Sequence, residues 1–449
     1  MTNDSPQTNS VPTAQAPQAP VPITCWVGLD WADKKHCLVV RTAPRAAPTT
    51  HLVEHKPEAL DAWVLQLHQK HPQGRIAVAI EQSRGPVLYQ LMRYDFLVLY
   101  PVNPRCLADY RRAFKLSGAK ADPLDADLLG ELVCLHADRL RALVVEDVPT
   151  RQLRLLVEAR RAFVDDRTAL SNRLGATLKS YYPLALELVG EDLTAPLALD
   201  FLRRWPNLAQ LRAAQPATLR AFFYAHNSRS EDKITQRLEA VKQALALTED
   251  RALIEPLQLQ LEHLVQQVRT LNKTLADYDA QIQRVFAQHT EAWLFQPLPG
   301  CGEVLAPRLA AAFGTIRANF ESSDNLLCFS GVAPVRKQSG GQEVVQFRYA
   351  RPIFLHQSIV EFAKCSLAKC AWARRLYEHK LGKGKSRWVA IRAVAFKWVR
   401  ILWRCWQDRR PYDEVEYLRS LQRDGVELYR SLYDELPPLK PSVCAVNNS

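Results

Sequence analysis

The chain contains no run of eighteen or more apolar residues, so no membrane-spanning helix is expected. Its opening stretch, "MTNDSPQTNSVPTAQAPQAPVP", lacks the basic start and apolar segment of a secretory signal. The Pro, Ala, Gln and Thr of residues 1–22 instead predict a disordered leader. None of the ten cysteines forms a Cys-x-x-Cys pair, and no Cys/His spacing suggests zinc. Reduced, mostly buried thiols in a cytoplasmic protein are the expectation. No internal repeat recurs at a fixed period. Acid is the scarcer charge, with 47 Asp and Glu against 59 Lys and Arg, a net charge of +12. Such an excess calls for a polyanionic partner. With no membrane span and no export signal, nucleic acid is favoured.

What is present suffices for several cores. The 449 residues are 47% hydrophobic, enough for two or three domains. Strand patterns fall at 23–30, 36–41, 50–55, 75–81 and 97–102, with helix patterns at 57–71 and 86–94. Three strands on short turns suit an antiparallel meander, and the strand–helix–strand units that follow suit parallel additions. The expected product is an α/β mixed sheet with helices on its faces. From about 123 to 290 the pattern is helical. The segment from Ser230 to His289 has near-heptad Leu, Val and Ile, and suggests an antiparallel hairpin or coiled coil interrupted near Pro256. Such a segment serves as a spacer or a dimerisation arm. The expected divisions are a leader (1–22), an α/β domain (23–180), a helical linker (181–292), a mostly α-helical block (293–410) and a tail (411–449).

Asp30 stands in "WVGLDWADKKHCLVV", where a buried strand should still be packed. The strand "RIAVAIEQS" likewise ends in an acid, Glu81. In "GAKADPLDADLLGEL", Asp122 precedes Pro123 at a helix start, and Asp125 follows three residues on, along the same side of the first turn. Taken singly, the helix acids read as a capping pair and the strand-end acids as solvent-facing. As a set they can converge, and converging carboxylates require a cation. Oxygen-only ligands favour Mg²⁺ or Mn²⁺, and two such ions can serve phosphodiester chemistry.

This order of strands, with strand-end Asp, strand-end Glu and Asp-x-x-Asp at a helix start, resembles the RNase-H-like fold of RuvC resolvases. More closely, "VGLDWADKKH", "AKADPLDA" and "LPGCGEVLAPRLAAAFG…FESSDNLLCFSGVAPVRKQSGG" resemble the DEDD insertion-sequence transposases related to the Piv invertase, the bridge-RNA-guided recombinases. The resemblance covers roughly residues 23–410. It implies a RuvC-like catalytic domain, a helical arm and a C-terminal transposase domain. It makes Asp30, Glu81, Asp122 and Asp125 a metal-binding tetrad. Ala121 stands where the family often has Thr.

"GVAPVRKQSGGQ" matches the family pattern at Gly331, Pro334, Ser339 and Gly340. By the resemblance, Ser339 is the nucleophile that joins covalently to a DNA phosphate. Donor and target DNA are chosen through a bound guide RNA. One subunit's tetrad meets another's serine in a tetramer built from two dimers. The turn holding Gly300 and Gly302 offers backbone N–H groups to a phosphate or is an ordinary helix–helix turn.

Between Lys364 and Arg410 there are 14 Lys or Arg against Glu378 and Asp408. Candidate nucleic-acid contacts are Gly300, Gly302, Arg336, Lys337, the loop residues Lys383, Lys385 and Arg387, and a helical stripe of Lys397, Arg400 and Arg404. Trp388, Ile391, Ala395, Trp398 and Leu402 form another stripe, expected to be core. The expectation is a metal-dependent DNA transposase and recombinase of a bacterial insertion sequence, in the cytoplasm and associated with the nucleoid. The alternatives are a RuvC-like nuclease using water and a non-catalytic nucleic-acid-binding scaffold.

Overall fold

The computed structural model describes residues 22–81, 84–114 and 122–437, and divides into two compact units, 1–145 and 146–449. The expected leader therefore lies outside the described residues, apart from Pro22. The division between the two units falls at Val145.

The first unit holds a five-stranded sheet of β1 (Ile23–Asp30), β2 (Lys35–Arg41), β3 (Thr49–Glu54), β4 (Arg75–Ile80) and β5 (Leu97–Pro101), in the order β3-β2-β1-β4-β5. β1, β2 and β3 pair antiparallel, and β4 and β5 add in parallel, as the connection lengths require. Four helices accompany the sheet: α1 (Pro57–Lys70), α2 (Pro86–Leu91), α3 (Pro104–Phe114) and α4 (Asp122–His136). Alternation along the strands separates two cores. Cys25, Val27 and Leu29 pack with Ile76, Val78 and Ile80 against Leu60, Val64, Leu88 and Leu91 of α1 and α2. Ala77 and Ala79 turn the other way, toward Leu107 of α3 and Leu128, Leu129, Leu132 and Val133 of α4.

The second unit is built on two long helices, α5 (Val148–Tyr181) and α11 (Arg251–Ala287). Thr150 meets His289, Arg160 meets Asp279 and Arg167 meets Asn272, so partners rise on one helix as they fall on the other and the pair is antiparallel. The hairpin expected within 230–289 is therefore corrected: α11 takes α5 as its main partner. Pro256 does not interrupt α11. It lies in the second turn, where it removes a single intrahelical hydrogen bond. The break comes earlier, at residues 244–250, between α10 and α11.

One end of the long pair carries a helical head of α6 (Leu184–Val189), α7 (Pro196–Arg204), α8 (Leu208–Ala213), α9 (Pro216–Ala225) and α10 (Glu231–Gln243). Leu174 and Leu178 of α5 and Leu261, Leu264 and Val268 of α11 share a core there with Phe201, Trp205 and Phe223. At the other end Leu153 and Val157, with Ile282 and Phe286, enter a larger core. That core gathers α12 (Ala292–Phe295), α13 (Gly302–Phe313), α14 (Ser323–Phe329), α15 (Ile353–Ser366), α16 (Ala371–Gly382), α17 (Arg387–Asp408) and α18 (Glu414–Arg423). A short helix, α19 (Arg430–Tyr433), follows. A two-stranded hairpin, β6 (Val335–Ser339) and β7 (Gln342–Gln346), interrupts the helices between α14 and α15.

Candidate active site and nucleic-acid surface

Asp30 ends β1 and pairs with Cys37 of β2. Across the parallel pair Leu29 lies opposite Ile80, so Asp30 and Glu81 follow at neighbouring strand ends. Side-chain alternation sets their direction. Gly28 and Asp30 share the face turned to α4, as do Ala77, Ala79 and Glu81. Both carboxylates are half-buried.

Gly28 admits the helix to this face. A Cβ on Gly28 would collide with the Ala126 carbonyl and the Gly130 amide. Backbone thus meets backbone, and Asp125, directly before Ala126, is carried to the Asp30 side of the sheet. Asp125 is 4% exposed. Arg111 of α3 forms an ion pair with it, Nη2 lying 2.5 Å from Asp125 Oδ1. Asp122 is the first residue of α4, and its side chain lies outside the described residues. A second guanidinium, Arg41 of β2, holds Asp127 of α4 and lies 4.0 Å from Glu131.

The described residues contain no group of three or more His, Cys, Asp or Glu side chains arranged to hold a metal. The donor chemistry nonetheless fits a hard divalent cation, since the strand-end and helix acids offer only oxygen; the Arg111 guanidinium occupies one Asp125 oxygen.

On the opposite face of the sheet His36 is buried, with its basicity lowered by burial first and by the nearby His55 second. Ala32 N–H donates to His36 Nδ1 at 3.2 Å. The proton of the neutral ring is therefore on Nε2, which donates to His55 Nδ1 at 2.9 Å. The Ala32–His36 bond tethers the 31–34 turn after Asp30 to β2. The sequence offered no periodic sign of it.

Ser339 is exposed at the last position of β6. Gly340 and Gly341 follow with φ of 55° and 80°, the two positive values of a tight two-residue hairpin turn. A hairpin was not foreseen in a block expected to be mostly helical, although a two-residue Gly-Gly is a usual hairpin-turn signal. Arg336 and Lys337 are exposed on the same strand, and Arg336 lies 3.6 Å from Glu343 across the pair.

Gly300 and Gly302 both have positive φ, 76° and 60°. A Cβ on Gly300 would come 2.6 Å from the Cys365 carbonyl, so this glycine serves close packing onto α15. Nothing crowds Gly302, which begins α13.

Lys383, Lys385 and Arg387 are exposed around the turn between α16 and α17, and Lys397 and Arg400 are exposed along α17. Arg404 is exposed but paired with Asp408 at 2.5 Å. Ile391, Ala395, Trp398 and Leu402 are fully buried, as their spacing predicts. Trp388 is the correction: it is 59% exposed, one turn ahead of the buried stripe and next to Arg387. The stripe begins before the packing does, leaving Trp388 in the company of the basic loop.

No helix among the described residues is long and apolar enough to cross a membrane. Two family profiles match the chain: a DEDD transposase profile of IS110 type over residues 27–183, and the "Transposase IS116/IS110/IS902 family" profile over 292–378. The chain is 25% identical over 400 residues to the "Mini-circle putative transposase for IS117" of Streptomyces coelicolor, covering 87% of this chain and 96% of the relative. It is 27% identical over 396 residues to the "Insertion element IS900 uncharacterized 42 kDa protein" of Mycobacterium paratuberculosis, covering 86% and 96%. A third relative is the "Insertion element IS116 uncharacterized 44.8 kDa protein" of Streptomyces clavuligerus, 24% identical over 392 residues, covering 86% and 96%. The first profile spans the acid-bearing sheet and the second spans the serine hairpin, so the chain belongs to the IS110-type DEDD transposase family and is an enzyme that cuts and rejoins DNA.

Proposed function

We propose that this transposase joins DNA through Ser339, with Asp30, Glu81, Asp122 and Asp125 holding Mg²⁺ or Mn²⁺. The supporting observation is the exposure of Ser339 at the end of a glycine turn, where its hydroxyl can reach a DNA strand without moving the core. In this reading the Ser339 oxygen attacks a backbone phosphorus and forms a phosphoester. The bond to one deoxyribose oxygen breaks, and that oxygen leaves as a hydroxyl. Return attack by a sugar hydroxyl releases Ser339 and reseals the strand, so no external energy source is consumed. A divalent cation, when bound, lowers the cost of the negative charge that builds on the phosphate. Asp30 and Glu81 hold the strand-end side of that site, and Asp125 is kept in place by backbone packing at Gly28. The carboxylates and the serine belong to different compact units. The reading has them act together in an oligomer, a dimer or a tetramer, with α5 and α11 supplying a coiled-coil arm. The basic surface around Lys383, Lys385, Arg387, Lys397 and Arg400 takes nucleic acid, both DNA and a guide RNA. A bacterial cytoplasmic, nucleoid-associated location follows from that substrate.

The test is denaturing electrophoresis of a reaction on labelled DNA in Mg²⁺, followed by peptide mapping of any shifted band. A covalent adduct at Ser339, absent from Ser339→Ala, is the expected result. Cleavage without an adduct, equally strong in Ser339→Ala, would leave a water-using nuclease as the function.

A further inference from the structure

Gly331, in "SGVAP", has a structural occupant. A Cβ there would collide with the side chain of Arg351, whose own Cβ would lie 2.7 Å away. The aliphatic stem of Arg351 therefore runs across Gly331. Its guanidinium then reaches Phe347, with Cζ 4.2 Å from the ring centroid. Arg392, from α17, approaches the same ring at 5.0 Å. Arg348 donates from Nε to the Ala333 carbonyl at 3.3 Å, and Arg351 donates from Nη1 to the Arg348 carbonyl at 2.6 Å. Two guanidinium groups thus meet at one ring, while that of Arg348 is held at the Ala333 carbonyl and lies 3.7 Å from the Cys328 sulfur.

Their charge has no internal counterpart. Among the described residues none of the three forms an ion pair, while the neighbouring Arg336 and Arg308 pair with Glu343 and Glu361. Arg351 Nε is buried and has no hydrogen-bond acceptor. His356 stands edge-on to Phe347 at 5.6 Å and donates from Nδ1 to the Ser330 carbonyl, so it supplies no negative charge. Burial lowers that ring's affinity for a proton, the Ser330 carbonyl partly offsets this, and Arg351 and Arg392 lower it further. Carbonyl oxygens and an aromatic face hold the arginines in place without neutralising them. Such a preorganised planar fork is suited to a phosphate.

We propose that Arg348, Arg351 and Arg392 form a phosphodiester cradle at the base of the Ser339 hairpin, gripping the DNA strand that the hairpin engages. The proposal rests on the reading of Ser339 as the DNA-joining residue. β6 has five residues, so the cradle stands about 13 Å from the serine along the strand. It would hold a phosphate a short way along the chain from the one attacked.

The test is a salt titration of duplex DNA binding by the full-length protein, read by fluorescence anisotropy. Arg392→Gln and Arg348→Gln should each make the log–log salt slope shallower by about 0.9, and together by about 1.8. Arg392→Lys should retain the slope while weakening binding, because the charge remains and the fork is lost. Circular dichroism melts confirm that each variant is folded. Arg351→Gln is the poorer probe, since the stem of Arg351 also supports the Gly331 turn. Wild-type slopes in both folded Gln variants would overturn the cradle, as would a slope change seen with RNA and not with DNA. A shallower slope in a protein that never forms a serine adduct would sink the joining reaction and leave the cradle standing.

Discussion

Replacing Gly28 with alanine should do more damage than its size suggests, and Gly130→Ala should do almost none. At Gly28 the new methyl would collide with the Ala126 carbonyl and the Gly130 amide, both backbone atoms of α4. Backbone cannot rotate away as a side chain can, so the helix must lift from β1. Overpacking of this kind costs about 1–3 kcal/mol, and a backbone neighbour puts it at the upper end. At roughly 3 °C per kcal/mol for a unit of this size, the transition of the first unit should fall by about 6–9 °C. At Gly130 the nearest atoms to a new Cβ lie at 3.2 and 3.4 Å. That mild crowding is offset by the gain of about 1 kcal/mol for alanine over glycine inside a helix. Gly28→Ala should also cut DNA cleavage by about 100-fold, the usual result of shifting a reacting group by an ångström, because Asp125 moves with α4. Calorimetry of the two variants and a cleavage assay below the melting range make the comparison. Equal melting of Gly28→Ala and wild type would refute the close approach as the device that positions Asp125.

Under the proposed reading, in which Asp30 holds a cation, Asp30→Asn should abolish cleavage while DNA binding and melting temperature change little; full cleavage in Mg²⁺ would remove it from the site. Neutralising Lys383, Lys385 and Arg387 together should flatten the salt dependence of DNA binding by up to about 2.7 in slope, whereas Trp388→Ala should weaken single-stranded binding by about 1–3 kcal/mol without changing the slope, as loss of a stacking platform does; anisotropy titrations separate the two. His36 has a lowered affinity for protons in the folded state. The unfolded chain therefore takes up a proton that the native chain refuses, and stability contributed by neutral His36 is lost as pH falls below the unfolded value of about 6.5. Melts of the first unit at pH 7.5 and 5.5 should show this loss, and His36→Gln should reduce it; an unchanged pH dependence in that variant would place the acid sensitivity elsewhere.

The sequence by itself determined the sheet. Period-two alternation and connection length set the antiparallel meander and the parallel additions, because short turns permit only the first and helical crossovers only the second. It also placed Asp30 and Glu81, since a strand end is a local property. The buried stripe of α17 was legible from Ile391 to Leu402 for the same reason. Three things were decided only in the folded chain. The partner of α11 is α5, separated from it by the whole helical head, and near-heptad spacing marks a face without saying what covers it. Trp388 fits the spacing of the stripe and leaves it in space, because periodicity does not record where packing begins. The guanidiniums of Arg351 and Arg392 meet at Phe347 from a loop and a distant helix, and such a meeting of charges is a fact of tertiary packing that no spacing along the chain encodes.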